Sequence, residues 1–177
     1  MSQRDSGYKR ITADKYFTPE WCTLALVPFL EPMTKIWEPA AGTGKMARAL
    51  QTVGFLVIGT DINKGTDFLD TQKLPSRGIG AIVTNPPYTH AVEFIEHALE
   101  LMKPVNGLVA MLLRCDFDHA KTRRHLFGDC RVFDKKIVLT KRIRWIEGST
   151  GSPSFNHAWF LWDYKHRGEP TIAYHYE

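Results

Sequence analysis

Four consecutive residues, Asn85, Pro86, Pro87 and Tyr88, follow the apolar run "GIGAIVT" and combine groups suited to work on a planar amine. Proline has no N–H to donate and fixes φ near −65°. The residue before a proline is held away from helical geometry, so Asn85 is extended or turned. A stiff loop then presents one side-chain amide oxygen, at least one backbone carbonyl and one aromatic face. An exocyclic amine such as that of adenine is a poor nucleophile, because its lone pair is delocalised into the ring. Two acceptors that hold its hydrogens out of the ring plane favour a tetrahedral nitrogen and localise the pair toward an electrophile. Tyr88 would stack the ring, a contact worth about 1–3 kcal/mol per base.

A second set of residues suits a bound nucleoside. "EPAAGTGKMA" (38–47) leaves an apolar stretch and opens a helical one, and its small residues let a ligand approach the backbone at the turn. A phosphate loop of the Walker kind is excluded, since Met46 follows the GTGK and Pro39 stands where the first glycine is needed. A dinucleotide and S-adenosylmethionine both remain, because Gly42, Gly44 and Ala47 fit G-x-G-x-x-A and Asp61 lies about 20 residues on. Asp61 at a strand end can accept hydrogen bonds from ribose hydroxyls. Asp67 offers an acceptor for an adenine amino group, and Phe68 a ring to stack on it. Their order after the glycine turn favours an adenosyl ligand.

These residues need a scaffold that brings them to one place. "TKIWE" (34–38), "FLVIGTD" (55–61), "GIGAIVTN" (78–85), "LVAMLLR" (108–114), "KKIVLT" (135–140) and "HAWFLWDY" (157–164) read as strands. "TPEWCTLALVPFL" reads as a helix with Thr18 as N-cap and Pro19 in its first turn, closed by Pro28 and Pro32. "KMARALQTVG" and "HAVEFIEHALELM" are helical, the second with Ala91, Phe94, Ile95, Ala98, Leu99 and Met102 on one face. "AKTRRHLF" predicts a short basic helix. Near-continuous apolar strands alternating with helices predict an α/β fold around a mainly parallel sheet, with helices on both faces and a late antiparallel hairpin. Ligands of such sheets sit beyond the C-terminal strand ends, where Asn85 falls.

Composition is that of an ordinary soluble domain, and no apolar run reaches the roughly 20 residues of a membrane span. At 177 residues the chain holds one domain, expected over 16–177, with a polar arm over 1–15. The N-terminus lacks a signal-peptide core and the three cysteines, Cys22, Cys115 and Cys130, lack metal-ligand spacing. They are expected to be reduced, buried thiols in a cytoplasmic protein that uses no metal. The net charge of +4 is uneven: from Lys103 to Arg144 there are eleven Lys or Arg against four Asp. Such a basic half attracts phosphate backbones or forms a solvated face.

In consistent order, "YFTP", "EPAAGTG", "GTDI", "TDFL" and "NPPY" resemble the class I S-adenosylmethionine-dependent methyltransferases that act on planar amino nitrogens, above all the DNA adenine-N6 enzymes. The resemblance covers residues 15 to 115. It implies a Rossmann-like fold and S-adenosylmethionine as cofactor. Tyr16, Phe17, Thr18 and Pro19 would line that cofactor. Glu38, Ala40, Gly42 and Gly44 would hold its methionine end, Asp61 and Ile62 its ribose, and Asp67 and Phe68 its adenine. Asn85, Pro86, Pro87 and Tyr88 would be catalytic, with Asn85 also bordering the cofactor. RNA adenine and protein glutamine are alternative substrates of enzymes with similar loops, and a non-catalytic binding module is a third reading. The chain departs from sequence-specific DNA enzymes of this order, for it leaves almost no residues for a target-recognition domain. Beyond Arg114, "AKTRRH", "KRIRW" and "GSTGSPSFNHAWF" are similar to small bacterial and prophage methyltransferases. Arg123, Arg124, Lys141, Arg142 and Arg144 become candidate phosphate contacts, with Phe155 and His157 as candidate walls of the target pocket and Trp145 more in keeping with the core.

Overall fold

The computed structural model describes residues 17–145 and 155–176. The expectations for the arm over 1–15 and for Tyr16 lie outside these residues.

Seven strands form one sheet: β1 Lys35–Glu38, β2 Leu56–Gly59, β3 Ile79–Thr84, β4 Leu108–Arg114, β5 Phe133–Leu139, β6 His157–Asp163 and β7 Thr171–His175. Their spatial order is β2-β1-β3-β4-β6-β5-β7. The first four pair in parallel. β6 runs antiparallel to both β4 and β5, and β7 pairs in parallel with β5. The expected antiparallel hairpin is β5 and β6, but β6 returns into the gap beside β4. This return makes β5 and β7 parallel to β1–β4, so their C-terminal ends reach the same edge of the sheet. β7 lies in "TIAYH", whose branched and aromatic residues carry a strand signal that the hairpin reading passed over.

Alternation along the central strands divides the interior into two cores. Ile82, Val109, Met111, Leu113, Phe160 and Trp162 face α3, Ala91–Met102, and pack on its Phe94, Ile95, Ala98 and Met102. Ala81, Val83, Ala110, Leu112, Trp159 and Leu161 face the other way, toward α1, Glu20–Leu24, and α2, Lys45–Thr52. β3, β4 and β6 are therefore covered on both sides, which is why their sequences read as continuous apolar runs. Trp159 and Trp162 are fully buried, and each donates its indole N–H to a backbone carbonyl, Cys22 O at 2.8 Å and Leu126 O at 2.6 Å. These bonds remove the cost of burying an indole donor and tie each covering layer to the sheet.

Four local expectations are corrected. Pro19, with φ −61° and ψ 150°, occupies the N-cap position of α1, while Thr18 is buried and makes no capping bond. The helix is one short turn because Pro28 belongs to a separate 3-10 turn, Val27–Phe29. The basic segment Lys121–Leu126 is a 3-10 turn rather than an α-helix. Cys22 is buried, whereas Cys115 and Cys130 are only half-buried; all three are free thiols. Among the described residues, no helix is long and apolar enough to cross a membrane, and no three His, Cys, Asp or Glu side chains cluster as metal ligands.

Candidate active site

The glycine turn joins β1 to α2 and is closed by bonds from β2. Ala41 N–H donates to Thr60 O at 2.9 Å, and Thr60 N–H to Glu38 O at 2.9 Å. Gly42 and Gly44 have φ of 50° and 77°, the left-handed region that glycine enters without strain. A side chain at Gly42 would meet no atom within 4 Å, so the turn faces open space. Gly59 of β2 serves packing instead, for a Cβ there would lie 3.1 Å from the Cβ of Ala41.

Asp61 follows β2 and clamps this turn. Its Oδ2 accepts the Gly42 N–H at 2.7 Å, and its Oδ1 accepts the backbone N–H and side-chain amide of Asn63 at 2.9 and 2.8 Å. Burial pushes this carboxyl up, but the Asn63 and Gly42 hydrogen bonds outweigh it and hold it below the usual carboxylate range. Ile62, next in sequence, is exposed.

Glu38 closes β1 and is only 3% exposed. Its pKa is pushed up to about 8, first by burial and then by the nearby Asp61 charge, against one hydrogen bond from the Ala47 backbone. Its Oε2 is buried and has no hydrogen-bond partner among the described residues. A stability prediction follows. In the unfolded chain this carboxyl ionises near 4.5, in the fold near 8. The unfolded state therefore loses its proton first, and stability falls as pH rises between those values. Glu38→Gln removes that dependence. Comparing the two proteins by urea unfolding at pH 5 and pH 8 should show a decline in wild type, on the order of 3 kcal/mol, that the variant lacks.

Phe68 requires a correction. Its ring is 2% exposed and enclosed by Trp37, Phe94 and His97 at centroid distances of 5.1, 4.8 and 4.9 Å. It is a core residue with no face to offer an adenine. An isolated Phe in "TDFL" looks the same whether it points in or out, so only packing separates the two. Asp67 caps its own turn, its Oδ1 accepting from Leu69 N–H at 3.0 Å.

The Asn85–Tyr88 loop leaves β3 at the same sheet edge. Pro87 has φ −59°, and its carbonyl is taken by His90 N–H at 2.9 Å in the turn that starts α3. Tyr88 is half-buried and its ring stacks on that of His157, with centroids 6.1 Å apart and planes 25° from parallel. Trp145 meets the same imidazole edge-on at 5.1 Å and, half-buried, also packs against the core layer that holds Ile143 and Trp159, in keeping with its expected core role. His157 is 2% exposed, and burial, then the Arg114 charge, depresses its pKa to about 4. It is neutral at physiological pH.

Arg114, at the end of β4, pairs in register with His157. Its guanidinium donates to both oxygens of Asp116 and lies over the Phe155 ring, its Cζ 4.0 Å from the centroid. Phe155 is 42% exposed. Sequence reasoning passed over Arg114, although its place at the end of an apolar strand carries the same signal as that of Asn85.

The basic candidates separate. Lys141, Arg142 and Arg144 follow β5 at the edge that carries the loop. Lys141 lies 5.2 Å over the Trp21 ring, and Arg142 donates to Asn156 Oδ1 at 2.9 Å. Arg123 and Arg124 are on the 3-10 turn over the α3 face. Arg123 donates to Phe117 O at 2.6 Å and stacks on that ring at 4.1 Å, while Arg124 pairs with Asp129 at 2.9 Å. Phe17 is exposed and lies beneath the Lys45 ammonium, 5.4 Å from its ring centroid.

Solved structures share this fold. A Listeria monocytogenes protein assigned to the class I S-adenosylmethionine-dependent methyltransferases superposes with a TM-score of 0.59 over 86% of this chain and 61% of its own, at 13% identity. A TehB-like S-adenosylmethionine-dependent methyltransferase from Corynebacterium glutamicum gives 0.51 over 80% and 85%, at 10% identity. The fold is that of the class I methyltransferases. On this methyltransferase fold the glycine turn, Asp61 and the Asn85–Tyr88 loop share the C-terminal edge of the sheet. The type IIG restriction endonuclease BpuSI also matches, at 0.54 and 11% identity, over 85% of this chain and 24% of its own. The chain thus spans less than two thirds of the Listeria protein and about a quarter of the endonuclease. No protein-family model and no curated protein matches its sequence.

Proposed function

We propose that this chain transfers the methyl group of S-adenosylmethionine to the N6 of an adenine in DNA, with the base turned out of the helix into the space before Asn85–Tyr88. The observation that carries this reading is the loop itself, rigid, acceptor-rich and stacked through Tyr88 on a neutral, buried His157.

The residues present fit the cofactor. The buried Oε2 of Glu38, without a partner among the described residues, suits an ammonium. The open space over Gly42 admits a ligand close to the backbone. Asp61 retains a lone pair on Oδ2 for a ribose hydroxyl, its Oδ1 being filled by Asn63. Asp67, whose Oδ1 is used by its own turn, would offer Oδ2 to an amino group, and Phe17 lies beneath Lys45, the residue that follows the turn. When bound, S-adenosylmethionine supplies an electrophilic methyl on a sulfonium.

The chain's own part is to prepare the nitrogen. Asn85 Oδ1 and one proline carbonyl accept the two amine hydrogens. The carbonyl of Pro87 already accepts from His90 N–H, so we assign the second acceptor to the carbonyl of Pro86, which has both lone pairs to offer. Tyr88 holds the base by stacking, and His157 supports Tyr88 from behind. No strong base is needed, because the proton leaves after the methyl is bound. Lys141, Arg142 and Arg144 on the same edge favour a phosphate-bearing substrate.

Incubation with methyl-labelled cofactor and separate DNA, RNA and protein pools tests the reading. Label is expected in DNA, at N6-methyladenine after digestion; label entering protein alone would overturn it. A cytoplasmic setting goes with a nucleic-acid substrate and belongs to the same proposal.

A further inference from the structure

Beside the stacked Tyr88 and His157 lies a cleft of about 240 Å³ that the methyl-transfer chemistry does not use. It is lined by Arg114, Cys115, Asp116, Arg142, Phe155 and Asn156. Its position follows from the sheet. Arg114 and His157 are register partners on neighbouring strands, and Phe155 and Asn156 immediately precede His157. The cleft therefore opens next to the strand pair that carries His157, the residue whose imidazole backs Tyr88.

Its chemistry is that of an anion site with one apolar wall. Two guanidinium groups reach it, one from the end of β4 and one from the segment after β5, and each is oriented by a side-chain oxygen, Arg114 by Asp116 and Arg142 by Asn156. Asp116 is the one carboxylate of the lining. Burial pushes it up, but the hydrogen bond and charge of Arg114 hold it below the usual range, so it stays ionised and offsets one of the two cations. The lining retains one net positive charge, which suits a singly charged phosphodiester. The partly exposed Phe155, stacked on Arg114, gives the sugar or base beside that phosphate an apolar surface.

We infer that the cleft between Arg114 and Arg142 binds a phosphodiester that flanks the target adenine and so sets the register of the strand over the catalytic loop. This rests on the nucleic-acid reading above and names the part of the substrate that this edge recognises. Arg114 and Arg142 act as positioning residues: they hold the backbone, and Asn85 and Tyr88 meet the base.

The test uses the full chain and adenine-containing oligonucleotides in which single phosphates around the target are replaced by neutral methylphosphonates. For wild type, one flanking replacement should raise KM about tenfold with kcat little changed, and Arg142→Gln and Arg114→Gln should raise KM for the unmodified oligonucleotide to a similar degree. Each variant should lower the slope of log Kd against log salt by about one. The deciding result is that the same methylphosphonate costs each variant less than it costs wild type, and costs the double variant nothing further. Arg142 is an exposed side chain, so its variant keeps the fold if that of Arg114 does not, and cofactor affinity reports on folding in both. Equal sensitivity of wild type and variants to every methylphosphonate overturns the inference and leaves the proposed function standing. Methyl transfer by wild type to protein but to no oligonucleotide removes both, with an acidic peptide then the occupant of the cleft.

Discussion

Replacing Asn85 by alanine lowers kcat for methyl transfer by about 10²–10³-fold, the usual cost of removing one group that aligns with the reacting atom. The Kd for S-adenosylmethionine should stay within about threefold of wild type, because the glycine turn and Asp61 are held by β1, β2 and their own hydrogen bonds. The split between these two readouts separates a catalytic role from a structural one. The loop has support of its own: β3 precedes it, Pro87 is bonded to His90, and Tyr88 stacks on His157. Single-turnover rates and equilibrium cofactor binding on the same preparation provide the measurement. Undiminished turnover would refute the role given to the loop, and equal loss of cofactor affinity would mean that Asn85 shapes the cofactor site instead.

Asp61→Ala acts on the other half of the site, with the opposite signature. One carboxylate accepts three hydrogen bonds, and its loss leaves the Gly42 N–H and the Asn63 groups without their acceptor. Charge-assisted bonds of this kind contribute about 1.5–3 kcal/mol each when one partner is removed, so a stability loss on the order of 2 kcal/mol is expected. Cofactor affinity should fall by about 10–100-fold, since both the shape of the turn and a hydroxyl acceptor go together. Asp61→Asn keeps one acceptor oxygen and should recover part of the stability but less of the affinity. Urea melts and calorimetric binding separate the two effects. If stability fell while affinity held, Asp61 would be a clamp for the turn and nothing more.

The elements of this fold were legible where local chemistry is decisive. β3, β4 and β6 are buried on both faces, so their sequences are unbroken apolar runs, and α3 shows its core face at helical spacing. The failures fall where distant contacts decide. Thr18 has the side chain of an N-cap, yet packing buries it and puts Pro19 at the cap. β7 is short and lies at an edge, so half of it stays exposed and its pattern is diluted. The insertion of β6 between β4 and β5 is a pairing of residues far apart in sequence, and no local pattern encodes it.

The site divides along the same line. The local geometry at Gly42, Gly44, Asp61 and the Asn85–Tyr88 loop follows from residue type: a left-handed turn, a carboxylate at a strand end, a donor-poor proline pair. Phe68 was misplaced, since a ring beside an acceptor reads alike in a ligand site and in a core, and only the enclosure by Trp37, Phe94 and His97 decides between them. Arg114 and His157 gained meaning only through their antiparallel pairing, which brings the end of β4 and the start of β6 beside Tyr88. The basic residues from Lys103 to Arg144 were one group in sequence; the return of β6 sends Lys141, Arg142 and Arg144 to the edge with the loop and leaves Arg123 and Arg124 over α3. The chemistry of the loop and turn is local, determined by side chains and backbone freedom within a few residues. Which surface faces that chemistry depends on strand order, which long-range packing alone decides.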